Sequence, residues 1–164
     1  MAGTVTRGFH PRRVGGQTSV PLWNAPEGVT ETFLKGSVVI FTSGYLVQAA
    51  ASPVVKIAGI STTNAHNDSA AGTHDMEFVP ALPGLRFEGT LCVDSTNTHI
   101  LVQTNLGASY GILIDTTNKR WFIDPANTSD AVNIVKLVDA LATVKPRVEF
   151  VFMALVTIFS GEAD

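Results

Sequence analysis

Short apolar runs rich in β-branched residues, cut by small polar turns, recur along most of this chain. The densest set lies in Lys35 to Thr62, KGSVVIFTSGYLVQAAASPVVKIAGIST. There Val38 to Phe41, Tyr45 to Val47 and Val54 to Ile60 read as strands, separated by Thr42-Ser43-Gly44 and by Ala51-Ser52-Pro53. Strands joined by such short links pair most easily with their chain neighbours, so the stretch predicts an antiparallel meander that begins a small barrel or sandwich. The rhythm continues in Met76 to Pro80, Leu85 to Val93 and His99 to Thr104. A hairpin is predicted from Tyr110 to Asp115 and Lys119 to Asp124, with Asn118 in its turn. A shorter alternation of Val29, Glu31 and Phe33 precedes the central stretch.

Two later segments admit more than one pattern. In Ser129 to Leu141, Ser129 or Asp130 could cap a helix whose face holds Val132, Ile134, Val135, Val138 and Leu141, while the valines favour a strand in the first half. Arg147 to Phe159 is the longest strand candidate. Val148, Phe150, Phe152, Ala154, Val156 and Ile158 alternate with Val151, Met153, Leu155 and Phe159, so both faces are apolar beyond Glu149. That predicts a central strand or one whose outer face meets a partner.

Residues 1–28 show no sustained period and carry Pro11, Gly15-Gly16, Pro21 and Pro26. They read as an extended arm in front of a body at 29–164. The arm's apolar residues, Phe9, Val20, Leu22 and Trp23, are too scattered to build a core and too costly to leave in water, so they dock on this chain's own body or on a neighbour. The fold class expected is all-β, a small antiparallel β-barrel or sandwich with an extended N-terminal arm.

Composition narrows the partners. A length of 164 residues favours one domain, and 45% apolar against 15% charged residues argues against disorder and for surface hidden by association. Before Glu27 the only formally charged side chains are Arg7, Arg12 and Arg13, and the remaining eight basic and fourteen acidic residues leave the body at −6. An acidic body has no broad basic face, so no nucleic-acid partner is expected. Cys92 is the one cysteine and reads as a small core residue. With no apolar signal-peptide region and no apolar run near ~20 residues, the expectation is a soluble chain made in a cytoplasm, with no membrane partner.

Candidate chemistry is sparse. Gly107-Ala108-Ser109-Tyr110-Gly111 matches the nucleophile elbow G-x-S-x-G, but a β run, Ile112-Leu113-Ile114, follows where a helix is needed, and no histidine occurs after His99. The match reads as accidental; no catalytic residue is assigned and no enzyme is expected. His66, Asp68, His74, Asp75 and Glu77, in and beside the polar loop Thr62 to His74, are donor types that suit a divalent ion. Their spacing matches no common ligand pattern and solvated loop residues explain them as well, so neither metal nor cofactor is expected.

The order of features in the central stretch carries a resemblance. An apolar strand, the turn at Ser43-Gly44, a second strand, then Pro53 and the run Val54 to Ile60 containing Gly59 resemble the head decoration (cement) proteins of tailed bacteriophages. The likeness extends to Pro83-Gly84-Leu85-Arg86-Phe87-Glu88-Gly89 and to the N-terminal arm. It implies a small β domain on the outer surface of an icosahedral capsid, made in the host cytoplasm, commonly trimeric, with arms that reach across major capsid subunits and with no catalytic residues. The partners implied are the phage major capsid protein and further copies of the chain as a homotrimer. On that reading Phe9, Arg12, Arg13, Leu22 and Trp23 bind the capsid, and Val151, Met153 and Leu155 form the oligomer interface. An alternative is a β-barrel module that binds a carbohydrate or host-surface ligand through the 62–74 and 118–130 loops, with Trp121 as a stacking platform.

Overall fold

The computed structural model describes residues 8–12, 19–53, 56–93 and 99–158. Their strands, in chain order, are β1 (His10–Arg12), β2 (Trp23–Pro26), β3 (Val38–Thr42), β4 (Tyr45–Gln48), β5 (Ile57–Ser61), β6 (Asp75–Pro80), β7 (Arg86–Thr90), β8 (Ser109–Asp115), β9 (Arg120–Asp124), β10 (Val132–Leu137) and β11 (Arg147–Phe152). One sheet has the order β1-β7-β11-β10-β8-β9 and the other β2-β6-β5-β3-β4, with every strand pair antiparallel. The all-β expectation is met as a sandwich and not as a closed barrel.

Side-chain alternation, reset in β5 by the register shift that sets Val39 opposite Gly59 and Ile40 opposite Ile57, explains the layering. Val38, Ile57, Ile60 and Val79 of the five-stranded sheet enter one core with Phe87, Val132, Ile134, Val148 and Phe150 of the six-stranded sheet. Their neighbours Val39, Ala58 and Phe78 point to the opposite face and form a second core with Phe33, Leu46 and Met76. Strand β5 is buried along its whole length because it has a core on each side.

The turn between β3 and β4 follows the sequence closely. Thr42 faces Tyr45, and Ser43 and Gly44 both have positive φ (51° and 86°), the two-residue turn whose twist matches its flanking strands. The meander expected after it is not found. Strand β5 pairs with β3, Val38 opposite Ile60, and so lies on the side of β3 away from β4, while Val54 and Val55 lie outside the described residues. The cause lies in β3, which is apolar on both faces and takes an interior position, whereas half-buried β4 stays at the sheet edge.

Three further expectations change. Residues 29–34 form turns and irregular chain, with only Phe33 committed to a core. Residues 99–104 make a single bridge, Ile100 to Val144, and then a 3₁₀ turn at Gln103–Asn105, because the Asn105 side chain accepts the Val102 N–H at 2.9 Å and closes the chain on itself. Strand β11 ends at Phe152 and a 3₁₀ turn, Ala154–Val156, breaks the alternation that would have run on to residue 159. The ambiguous 129–141 segment is a strand, β10, with a register shift between Ile134 and Lys136.

The described residues of the segment expected as an arm join both sheets. Strand β1 pairs with β7 and β2 with β6, each at a sheet edge, where Pro11 and Pro26 cost no ladder bond. Phe9 is 0% exposed, its ring edge-on to Phe150 at 4.8 Å. A β-carbon at Gly89 would lie 2.8 Å from that ring, so only glycine at this position admits it. Phe9 is therefore a core residue and not a free capsid contact, because burial against Phe150 is available inside its own sandwich. Phe9→Ala is expected to lower the unfolding free energy by about 3–5 kcal/mol in urea denaturation. A loss below about 1 kcal/mol would mean that the ring does not fill this core.

Candidate functional site

Three places on the sandwich hold side chains that the fold alone does not require. The first begins at Glu27, which follows β2 and is 1% exposed. One carboxylate oxygen accepts the His66 backbone N–H at 2.8 Å and the other accepts from His66 Nδ1 at 2.5 Å. Backbone bonds run alongside: Glu27 N–H to the His74 carbonyl, Gly72 N–H to the Glu27 carbonyl, Thr30 N–H to the Asp68 carbonyl and Ala65 N–H to the Phe33 carbonyl. The 62–74 loop is thereby folded against residues 27–33, and Ala65 packs on the second core.

That folding brings loop side chains together. Asp68 Oδ2 accepts from His74 Nδ1 at 2.7 Å, and the His66 and His74 rings stack at 4.3 Å with 16° between their planes. Donor atoms of His66, Asp68 and His74 lie within 4.8 Å of one another. Asp75 stays exposed at the start of β6, and Glu77 accepts the Thr62 hydroxyl at 2.6 Å, so neither joins the group. The hydrogen bond to Asp68, and then its charge, hold the His74 imidazole above the usual histidine value.

The second place is the outer face of the six-stranded sheet. Glu88 on β7 and Glu149 on β11 are direct cross-strand partners and both are buried. Two carboxylates in that position repel. Arg12 lies 3.6 Å from each, Arg86 and Lys136 lie 3.5 and 3.4 Å from Glu149, and Arg147 lies 3.6 Å from Glu88. Arg147 also donates to Asp139 at 2.7 Å, and that bond holds the Asp139 carboxyl below its ordinary value. Nothing in the residue spacing announced this network, because its members come from β1, β7, β10, β11 and the turn after β10.

The third place is apolar. Ile100, Val102, Leu106, Leu141 and Val144 are all exposed and stand on two segments that pair through Leu101 N–H to the Thr143 carbonyl and Ala142 N–H to the Leu101 carbonyl. Reading 99–104 as a strand hid this surface; the lack of a polar alternation through Ile100, Leu101 and Val102 was the signal available.

The residues singled out in the sequence are dispersed. Phe9 fills the core and Arg12 neutralises Glu88 and Glu149, while Arg13 lies outside the described residues. Leu22 and Trp23 are exposed, the indole of Trp23 standing edge-on to Phe78. Val151 is half-buried, Met153 packs partly on the core and Leu155 is 75% exposed. Trp121 is fully buried and offers no platform for a sugar. Ser109 sits within β8, its hydroxyl donating to Asn133 at 2.6 Å, and the elbow that a nucleophile needs is not formed there. No family model matches the sequence, and no curated protein or solved structure matches it either.

Two outcomes follow from these contacts. Glu27→Ala is expected to cost about 2–3 kcal/mol by removing a buried acceptor of two bonds. Limited proteolysis should then cut within 62–74; an unchanged digestion map would show that Glu27 does not hold the loop. Asp139 has a lowered value in the folded state, so its contribution is fully present above its unfolded value near 3.8 and is lost as pH falls through the folded one. Asp139→Asn should lower stability at neutral pH and flatten the acid limb of a stability–pH curve, so that the two curves converge as pH falls through the folded value.

Proposed function

We propose that this chain is a structural virion protein that binds the outside of an icosahedral phage capsid and stabilises it by bridging major capsid subunits. The observation that carries the reading is the exposed apolar surface of Ile100, Val102, Leu106, Leu141 and Val144 on a chain with only 15% charged residues. Large aliphatic side chains grouped in this way are costly in water and stabilising against a partner. The resemblance of residues 35–62 supplies the partner class, and the exposed Leu22 and Trp23 extend the apolar contacts available to it.

The same reading assigns self-association to the end of β11 and the residues that follow it. Leu155, and beside it Ile158, stand in solvent, while Val151 and Met153 are only partly covered. A homotrimer would bury them in a repeated contact, and repetition over a shell makes individually weak contacts sufficient. The carbohydrate reading has lost its stacking residue to the core, and no other observation favours it.

Cosedimentation with purified capsid shells tests the proposal. The unaltered chain should pellet with the shells, and Ile100→Ser with Val144→Ser should weaken that binding about tenfold or more while leaving the far-ultraviolet circular dichroism unchanged. Failure of the unaltered chain to bind would overturn the reading. Light scattering should give three times the chain mass, falling to one for Leu155→Asp.

A further inference from the structure

We propose that His66, Asp68 and His74 form a binding site for a divalent transition-metal ion, zinc by ligand type, which fastens the 62–74 loop to the sandwich. Two imidazoles and one carboxylate form a donor set that suits zinc and its neighbours, whereas calcium and magnesium favour all-oxygen shells. Three protein ligands leave a position for water.

The placement of these residues is what distinguishes them from scattered polar loop residues. His66 is held through its own N–H by Glu27, Asp68 through its carbonyl by Thr30, and His74 through its carbonyl by Glu27. All three donors are thus anchored at the backbone to one short segment, 27–30, which itself continues β2. Positive φ at Asn67 (60°) and at Gly72 (77°) turns the loop between them. The site is built on fixed chain although its side chains face solvent.

Glu27 supplies the outer contact that metal-bound histidines ordinarily have. Its buried carboxylate accepts the hydrogen bond from His66 Nδ1, which fixes the ring's orientation and directs Nε2 away from the carboxylate. The donor atoms of the three residues lie within 4.8 Å, against about 3.3 Å in a tetrahedral shell with Zn–N of about 2.0–2.1 Å. His74 is exposed and Asp68 only partly covered, so their side chains can rotate to close that gap while Glu27 holds the His66 ring. The site rests on these contacts alone and is independent of capsid binding.

Isothermal titration of Zn²⁺ into the full chain is expected to show one saturable site, with Kd of about 10 µM or tighter, and no comparable uptake of Mg²⁺. His74→Ala and Asp68→Asn should each weaken it by about tenfold or more, and Glu27→Gln by about 10–100-fold. His10→Ala and His99→Ala should bind as the unaltered chain does. Zinc should also raise the melting temperature of the unaltered chain and not of His74→Ala. Absence of saturable zinc uptake, or equal uptake by His74→Ala and Asp68→Asn, would overturn the assignment.

Discussion

Strand β5 is the constraint from which the rest of the architecture follows. Ile57 and Ile60 face the six-stranded sheet while Ala58 faces away from it, and neither set is exposed. A sandwich supplies a cover for only one face of a sheet. The second cover has to come from chain outside the strands, and here it comes from Phe33 and the 62–74 loop. Irregular chain has no ladder to hold it in place. The loop is therefore tied by specific polar contacts, and they converge on Glu27.

The same logic runs through the N-terminal residues. Phe9 closes the main core, β1 and β2 finish one edge of each sheet, and Glu27 pins the outer cover. Arg12 adds charge compensation for the Glu88 and Glu149 pair, whose burial would otherwise set two carboxylates side by side. Each of these contacts joins parts of the chain far apart in sequence. Folding of the first described residues is consequently inseparable from folding of the body, which accounts for a segment that looks like an arm in sequence and behaves as edge strands in space.

Elements whose cause is local were legible. The Ser43-Gly44 turn, the β8–β9 hairpin with Asp115 accepting the Thr117 and Asn118 N–H groups, and the buried Cys92 all follow from short-range chemistry. What depends on tertiary competition was not. Nothing near Phe9 announces that Gly89, distant in sequence, leaves a place for its ring. The pairing of β5 with β3 is decided by which strand can be buried on both faces, a comparison among strands and not a property of one link. The His66, Asp68 and His74 donors were visible as residue types, but their convergence depends on backbone bonds to residues 27–30 that spacing does not encode.

Association of this sandwich with any partner is directed by what its edges and faces already hold. Strand addition at β1 or β2 would meet Pro11 and Pro26, which lack the N–H that a new ladder requires. The outer face of the six-stranded sheet carries Arg12, Arg86, Lys136 and Arg147, whose charges are spent on Glu88 and Glu149 and which would have to be desolvated to be covered. The outer face of the other sheet is covered in part by its own loop, with Trp23 left exposed beside Phe78. Among the described residues, the exposed large aliphatic side chains are on turns and short segments between strands, at 22, 29, 100–106, 141–144 and 155–158. Side-chain contacts there can bury apolar area without breaking a sheet or uncovering a charge, so assembly through the loops is the route that least disturbs the fold.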